Sequence, residues 1–237
     1  VDTVCRGAGI KKEMALVKQR TGQSRKQQYT RQNNTGKFYT MKENNLLFRV
    51  NFTDYLDPGI FLLSRNLRAK IFHLAKNRNF LNLFAYTGTA TVCAAAGGAA
   101  STLTVDTNQG YLLWAKKNMG LNGLLPGNHR FVKEDCITWL EKEGRKFDLI
   151  FCDPPTFSNT KKEGRIFDLQ KQHVRLIHLC MDHLRRDGTL LFSNNFKGFK
   201  MDNGALSAYN IEDLRSSSLP EDFKRKPRMY NCWQIRF

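Results

Sequence analysis

Phe147-Asp148-Leu149-Ile150-Phe151-Cys152-Asp153-Pro154-Pro155-Thr156-Phe157 is a nearly unbroken apolar run that ends in an acid, two prolines and an aromatic. Continuity in place of alternation predicts a strand buried on both faces of a parallel sheet. The paired prolines end it, because neither can donate to a ladder and each fixes its own φ. Asp153 is thereby delivered at the carboxyl end of a central strand, with Phe157 just beyond it. In open α/β sheets that edge is where ligands bind. A plain strand-to-turn exit would use the same prolines. The aromatic after Asp-Pro-Pro is what favours a site.

The same grammar repeats on both sides of this strand. Phe80–Phe84 reads as a buried strand, Ala85–Thr89 as a tight turn, and Ala90–Ala96 as a run of small helix formers. Strand, glycine turn and helix together aim backbone N–H groups and a positive helix end at a ligand. Thr102–Asp106 is the second strand, and Asp106 follows Gly88 by 18 residues, the place of an acid that accepts from ribose hydroxyls. The turn carries one glycine where a dinucleotide fingerprint needs three, and a pyrophosphate must approach the backbone closely. An adenosyl sulfonium has no phosphate. Phe84, Ala85, Tyr86, Thr87 and Gly88, with Asp106 and Thr107, therefore favour S-adenosylmethionine over NAD, a purely structural crossover being the alternative.

Further on, Tyr111–Met119 reads as a crossover helix and Arg130–Cys136 as a third strand. Asp135 can accept from an adenine amino group while the Cys136 N–H donates to the ring. It can equally cap a helix over Ile137–Lys142, and both roles can coexist. Val174, Ile177, Met181 and Leu184 mark a long helix that Asp187-Gly188 should stop. Thr189–Ser193 is a buried strand opening into Asn194-Asn195, and Tyr230–Phe237 is an aromatic strand. His173, His178 and His183 read as packing or surface polar groups, not catalysts. Strands alternating with helices predict an α/β fold: a Rossmann-like, doubly wound, mostly parallel sheet.

Ahead of this lie Phe38–Lys42 and Leu46–Phe52 around an Asn-rich tip, a β-hairpin, then a turn at Asp54–Gly59 and an amphipathic helix from Ser64 to Arg78. The expected division is 1–36 as a basic arm or linker, 37–63 as hairpin and connector, and 64–237 as the cofactor-binding domain. A weak helix is expected over Ile10–Arg20, and Asn159–Arg165 reads as a polar basic loop. Lys and Arg total 38 against 21 Asp and Glu, a net charge of +17, which favours a polyanion such as nucleic acid over a membrane surface. The six cysteines form no C-x-x-C pair and no zinc spacing, so no metal is expected, and reduced packing thiols imply a cytoplasmic protein. No signal peptide or membrane-length apolar run is visible, and a start at Val1 suggests a piece of something longer.

Asn82-Leu83-Phe84-Ala85-Tyr86-Thr87-Gly88, Val105-Asp106, Asn122-Gly123 and Asp153-Pro154-Pro155-Thr156-Phe157 together resemble the class I S-adenosylmethionine methyltransferases of large-subunit ribosomal RNA. Asn51–Asp57, Phe192-Ser193-Asn194-Asn195 and Asn231-Cys232-Trp233 are similar to the RlmK-type family, the carboxyl-terminal half of a bifunctional enzyme. The resemblance runs from about Lys37 to the end. It implies methylation of guanine N7 in 23S ribosomal RNA or a large-subunit precursor, with a second methyltransferase upstream in the same polypeptide. It also implies Phe61 and Arg65 as cofactor contacts, although Leu63 and Ser64 depart from the polar residues that relatives carry there.

The chemistry agrees with the residues. Carbon-5 methylation of a pyrimidine needs a nucleophilic cysteine, which such relatives carry where this chain has Asn194. Guanine N7 has a lone pair and no proton to lose, so alignment suffices, without a covalent intermediate. Asp153, Pro154, Pro155, Phe157 and Asn194 are the expected catalytic group: Phe157 stacks on the base and Asp153 or the Pro154 carbonyl accepts from its amino edge. Other readings stay open: methylation of an exocyclic amine or another RNA, of a protein or small molecule, or an RNA-binding module with a degenerate pocket.

Overall fold

The structure, a computed structural model, describes residues 1–17, 33–159, 166–224 and 230–237. The expected strands are present. β3 (Asn79–Leu83), β4 (Ser101–Asp106), β5 (His129–Lys133), β6 (Phe147–Cys152) and β9 (Leu184–Asn194) lie parallel. With β10 (Asn210–Asp213) and β11 (Asn231–Arg236), both antiparallel to their neighbours, they make a seven-stranded sheet in the order β10-β11-β9-β6-β3-β4-β5. Helices α3 (Thr89–Ala96), α4 (Gln109–Leu121), α5 (Cys136–Lys142) and α6 (Leu169–Asp182) are the crossovers. The mostly parallel, doubly wound expectation holds.

The continuity of the β6 sequence has a direct structural cause. Ile150 and Cys152 pack with Leu81, Leu83, Trp139, Met181 and Phe192 in one core cluster. Leu149 and Phe151 pack with Phe80, Val92, Met119, Leu67 and Ile71 in the other. Because side chains alternate across a strand, only a strand covered on both faces needs apolar residues at every position. Full burial of each such side chain contributes about 1.5–3 kcal/mol.

β1 (Tyr39–Glu43) and β2 (Leu46–Val50) form the hairpin as a separate two-stranded sheet. Its tip residues Asn44 and Asn45 take φ of 49° and 65°, the left-handed pair a tight hairpin turn requires. α4 side chains satisfy the outer backbone of β2. The Leu47 and Arg49 amides donate to Asn122 Oδ1 and Asn118 Oδ1, both at 2.8 Å, and Trp114 Nε1 donates to the Arg49 carbonyl at 2.9 Å. α2 (Arg65–Leu74) follows, and its Arg68 makes a bidentate pair with Glu43 at 2.7 Å on each arm, almost wholly out of water.

Three expectations need correction. The arm does not begin a helix at Ile10; instead α1 (Asp2–Ala8) precedes it and ends at Gly9, whose φ of 63° is a left-handed stop. Beyond it a single 3-10 turn covers Lys12–Met14, and Lys18, Arg20, Arg25, Lys26 and Arg31 lie outside the described residues. Secondly, Asp187-Gly188 does not stop α6, which ends at Asp182; both belong to β9. There Leu184 pairs with Phe147 and Thr189 with Leu149, so the residues between them bulge out of register, and a Cβ on Gly188 would meet Leu184 Cδ1 at 2.7 Å. Thirdly, Asn159, the first residue of the expected basic loop, belongs to a strand, β7 (Phe157–Asn159), which pairs antiparallel with β8 (Ile166–Asp168). Lys161, Lys162 and Arg165 lie outside the described residues. A short helix, α7 (Arg215–Ser218), lies between β10 and β11.

Candidate active site

β3 leads to β4 and β5 on one side, whereas the chain then returns to place β6 and β9 on the other. The sheet order reverses between β3 and β6, which is where doubly wound sheets hold ligands. At that point the β3 exit loop, Phe84–Gly88, stands between the tips of β4 and β6. Phe84, Tyr86 and Gly88 take φ of 54°, 51° and 69°. Two non-glycine residues in the left-handed region cost about 1–2 kcal/mol each, and such strain is held by surrounding contacts.

Those contacts are specific. The Phe84 amide donates to Cys136 Sγ at 3.1 Å and the Ala85 amide to the Val105 carbonyl at 3.2 Å. The Tyr86 amide donates to Asp106 Oδ2 at 2.9 Å, and its hydroxyl to the Asp57 carbonyl at 3.2 Å. Thr87 Oγ1 donates to the Gly59 carbonyl at 2.6 Å. The segment after the hairpin is thus built into the loop, and Phe61 packs on Tyr86 with ring centroids 5.4 Å apart. Gly88 is obligatory twice over: its φ is positive and an added Cβ would lie 2.5 Å from Ala115 Cβ.

Asp106 sits at the tip of β4, half-buried, with Oδ1 accepting from the Asn108 amide at 2.8 Å and Oδ2 from Tyr86. Burial raises its pKa, and these two amides oppose the rise. The carboxylate is fixed by backbone donors, and each oxygen keeps a lone pair for a ribose hydroxyl. Thr107 follows, exposed. Asp135 caps α5, Oδ1 accepting from the Ile137 and Thr138 amides at 3.1 and 3.0 Å, while Oδ2 has no hydrogen-bond partner among the described residues. The Cys136 amide is one of the helix's first, unpaired N–H groups. Two carboxylates and a helix-start amide on successive strand tips are groups that could hold an adenosyl moiety.

On the other side, Asp153 Oδ1 accepts from Ser193 Oγ at 2.7 Å across the β6–β9 tips. Burial pushes its carboxyl up to about 6, with the Ser193 bond pulling against it. Pro154 is buried, while Pro155 and Phe157 are half-buried. Asn194 is wholly buried. Its Oδ1 accepts from the Phe196 amide and from Asn231 Nδ2, both at 3.0 Å.

Two sequence-derived residues have partners within the protein. Arg65 is committed to an ion pair with Asp222 at the start of α2, so it has a partner other than a cofactor. Leu63, the departure from the family pattern, packs against the apolar core. Ser193 and Asn231 were singled out only through the family resemblance and Tyr230 only as part of the last strand, yet Ser193 and Tyr230 stand near Asp153 and Asn231 holds Asn194. The burial that raises the Tyr230 hydroxyl's pKa is reinforced by Cys232 and Asp153. A cavity of about 610 Å³ lined by Lys116, Arg130 and Phe131 lies along the β5 edge, away from these tips. The histidines are structural: His173 joins Gln170 to Asp202, and His183 joins Arg145 to Leu140.

The family model for S-adenosylmethionine-dependent methyltransferases matches residues 15–207. Ribosomal RNA large subunit methyltransferase K/L of Desulfotalea psychrophila is 44% identical over 228 residues, 96% of this chain and 32% of that protein. Its counterpart in Chromohalobacter salexigens is 45% identical over 228 residues, covering 96% and 31%. The chain thus spans about a third of the length of the curated relatives it matches. Among solved structures, SMU.776 complexed with SAH superposes with a TM-score of 0.72 at 24% identity, over 86% of this chain and 57% of that one. The SAM-dependent methyltransferase from Agrobacterium tumefaciens gives 0.67 at 20% identity, over 86% and 71%.

Proposed function

The chain belongs to the S-adenosylmethionine-dependent methyltransferase family, and from that premise we propose that it methylates N7 of a guanine in 23S ribosomal RNA or its precursor. The observation that carries the reading is the placement of Asp153-Pro154-Pro155 beside the strained Phe84–Gly88 loop at the sheet's reversal point. When bound, S-adenosylmethionine supplies an electrophilic methyl group. The Phe84–Gly88 loop, Asp106, Asp135 and the Cys136 amide hold the adenosyl end. Asp153 accepts from the amino edge of the base, the Pro154 carbonyl adds a second acceptor, and Phe157 stacks on its face. Phe61 packs on Tyr86 of that loop, and Arg65, paired with Asp222, is given no cofactor role in this reading.

A covalent step through cysteine has no support. Burial pushes the thiols of Cys136, Cys152 and Cys232 well above their ordinary range, so none supplies thiolate. Guanine N7 needs neither nucleophile nor base, and transfer is direct and in line. Methylation at an exocyclic amine is the second reading. It is favoured by the raised carboxyl of Asp153, which could receive the amine's proton. The net charge of +17 supports an RNA partner. The names and greater length of the relatives support a ribosomal substrate and further domains in the same polypeptide. Among the described residues no helix is long and apolar enough to cross a membrane, and we place the protein in the cytoplasm.

The test is nucleoside mass spectrometry of ribosomal RNA from cells lacking the protein, complemented with the parent or Asp153→Ala. Loss of 7-methylguanosine, restored by the parent alone, is expected. Loss of an N2-methylated guanosine in its place would select the second reading, and no change in any methylated guanosine would overturn both.

A further inference from the structure

Resting on the proposed guanine substrate, one question remains: how the site would tell guanine from adenine. Both purines present N7, so the methylated atom cannot discriminate. Beside it, guanine carries the acceptor O6 and adenine the donor N6 amine. A selective site needs a hydrogen-bond donor there that cannot turn into an acceptor.

An asparagine amide does not meet that need by itself, because a half-turn about its last torsion exchanges oxygen and nitrogen. At Asn194 the half-turn is blocked. Asn194 is the last residue of β9 and is paired in register with Asn231 on β11. Asn231 Nδ2 donates to Asn194 Oδ1 at 3.0 Å and to the Phe196 carbonyl at 2.9 Å. The Phe196 amide donates to the same Asn194 Oδ1 at 3.0 Å. With two donors converging on Oδ1, turning the amide would set its N–H groups against an amide N–H and an NH2. Nδ2 is therefore the end left over. It is enclosed, and it has no hydrogen-bond partner among the described residues. A buried donor without a partner costs about 1–3 kcal/mol, which an arriving acceptor recovers. Ser193, the residue before it, donates to Asp153, and β6 and β9 run parallel in register, so Asn194 stands at the same carboxyl edge of the sheet as the group proposed to receive the base.

We propose that Asn194 Nδ2 donates to O6 of the target guanine, and that Asn231 is the positioning residue that keeps the amide turned this way and so excludes adenine. A 6-oxopurine completes the donor. A 6-aminopurine would bring N–H against N–H and leave both unsatisfied.

The test uses 23S ribosomal RNA transcripts made with guanosine or with 6-thioguanosine, whose sulfur is the weaker acceptor. The parent should lose on the order of tenfold in kcat/KM on the thio transcript, the size of one hydrogen bond. Asn194→Ala should lose on the order of tenfold or more on ordinary RNA and show no further loss with sulfur. Asn231→Asp, which puts an acceptor opposite Asn194 Oδ1, should likewise lose the sulfur effect while binding S-adenosylmethionine as the parent does by calorimetry. If Asn194→Ala does not fold, the isosteric Asn194→Asp is read in its place. A full sulfur effect persisting in either the Asn194 or the Asn231 variant overturns the proposal and leaves the guanine reading intact. A parent enzyme that methylates no guanosine in ordinary transcript overturns that reading instead.

Discussion

Replacing Asp153 by Asn should make the protein more stable and inactive at once. Burial raises the carboxyl from 3.8 to about 6. A pKa displaced by about two units corresponds to about 3 kcal/mol, at about 1.36 kcal/mol per unit. The carboxyl edge is half-buried, not sealed, so about 2–3 kcal/mol is the figure to expect. The sign follows from proton counting. Between pH 3.8 and about 6 the native state binds the proton that the unfolded chain has already released, so stability falls as pH rises through this window. Above it the whole penalty is present; below it none is. Asn keeps an oxygen for Ser193 Oγ and carries no charge, so it escapes the penalty. Urea unfolding of parent and Asp153→Asn, run side by side from pH 3.5 to 8, should give curves that coincide at the acid end and separate by about 2–3 kcal/mol at neutrality. Other carboxylates titrate in both proteins and cancel in the difference. A difference that is flat with pH, or a less stable variant at pH 7.5, would show that Asp153 is solvated or paired and that no destabilised acid has been built into the site.

Asp106→Ala should weaken S-adenosylmethionine binding at least about tenfold by calorimetry, since the carboxylate proposed to take two ribose hydroxyls is removed; unchanged affinity would detach β4 from the cofactor. Gly88→Ala should lower stability by about 2 kcal/mol or more, because a left-handed backbone and a Cβ against Ala115 add, and melting should fall by about 4–8 °C. Arg68→Ala should cost about 3 kcal/mol or more, leaving Glu43 buried without its guanidinium, whereas Arg65→Ala, at a half-exposed ion pair, should cost under about 1 kcal/mol. Arg65→Ala should also leave cofactor affinity unchanged. A tenfold loss would return Arg65 to the site.

What could be read in advance follows from how local each cause is. β6 was legible because burial on two faces imposes an apolar residue at every position, and the hairpin because only Asn or Gly accepts two successive left-handed residues cheaply. The position of Asp106, at the tip of β4 and bonded to the Tyr86 amide of the glycine turn, was legible from its spacing after Gly88. The end of α6 was not. Asp-Gly normally stops a helix, but here the stop is made by His183, whose ring lies between the Leu140 and Arg145 carbonyls, a contact 38 or more residues away in sequence. The pinning of β2 by Asn118 and Asn122 is similarly remote: Asn122 was legible only as a turn residue, whereas it also serves the Leu47 amide and carbonyl.

The same distinction separates the two halves of the site. The cofactor half is written in consecutive residues, because a turn, a helix end and a strand tip are each local structures. On the substrate half, the side chains that set the chemistry answer to partners on neighbouring strands: Ser193 to Asp153, and Asn231 to Asn194. Nothing in the identity of Asn194 says which end of its amide faces a ligand; β11, arriving last and antiparallel, decides it. A chain with Asn194 intact and Asn231 altered would keep the linear motif and the cofactor site while losing its preference for an acceptor at the purine 6-position. On the proposal made above, specificity is carried by a pair whose second member no reading of the first can supply.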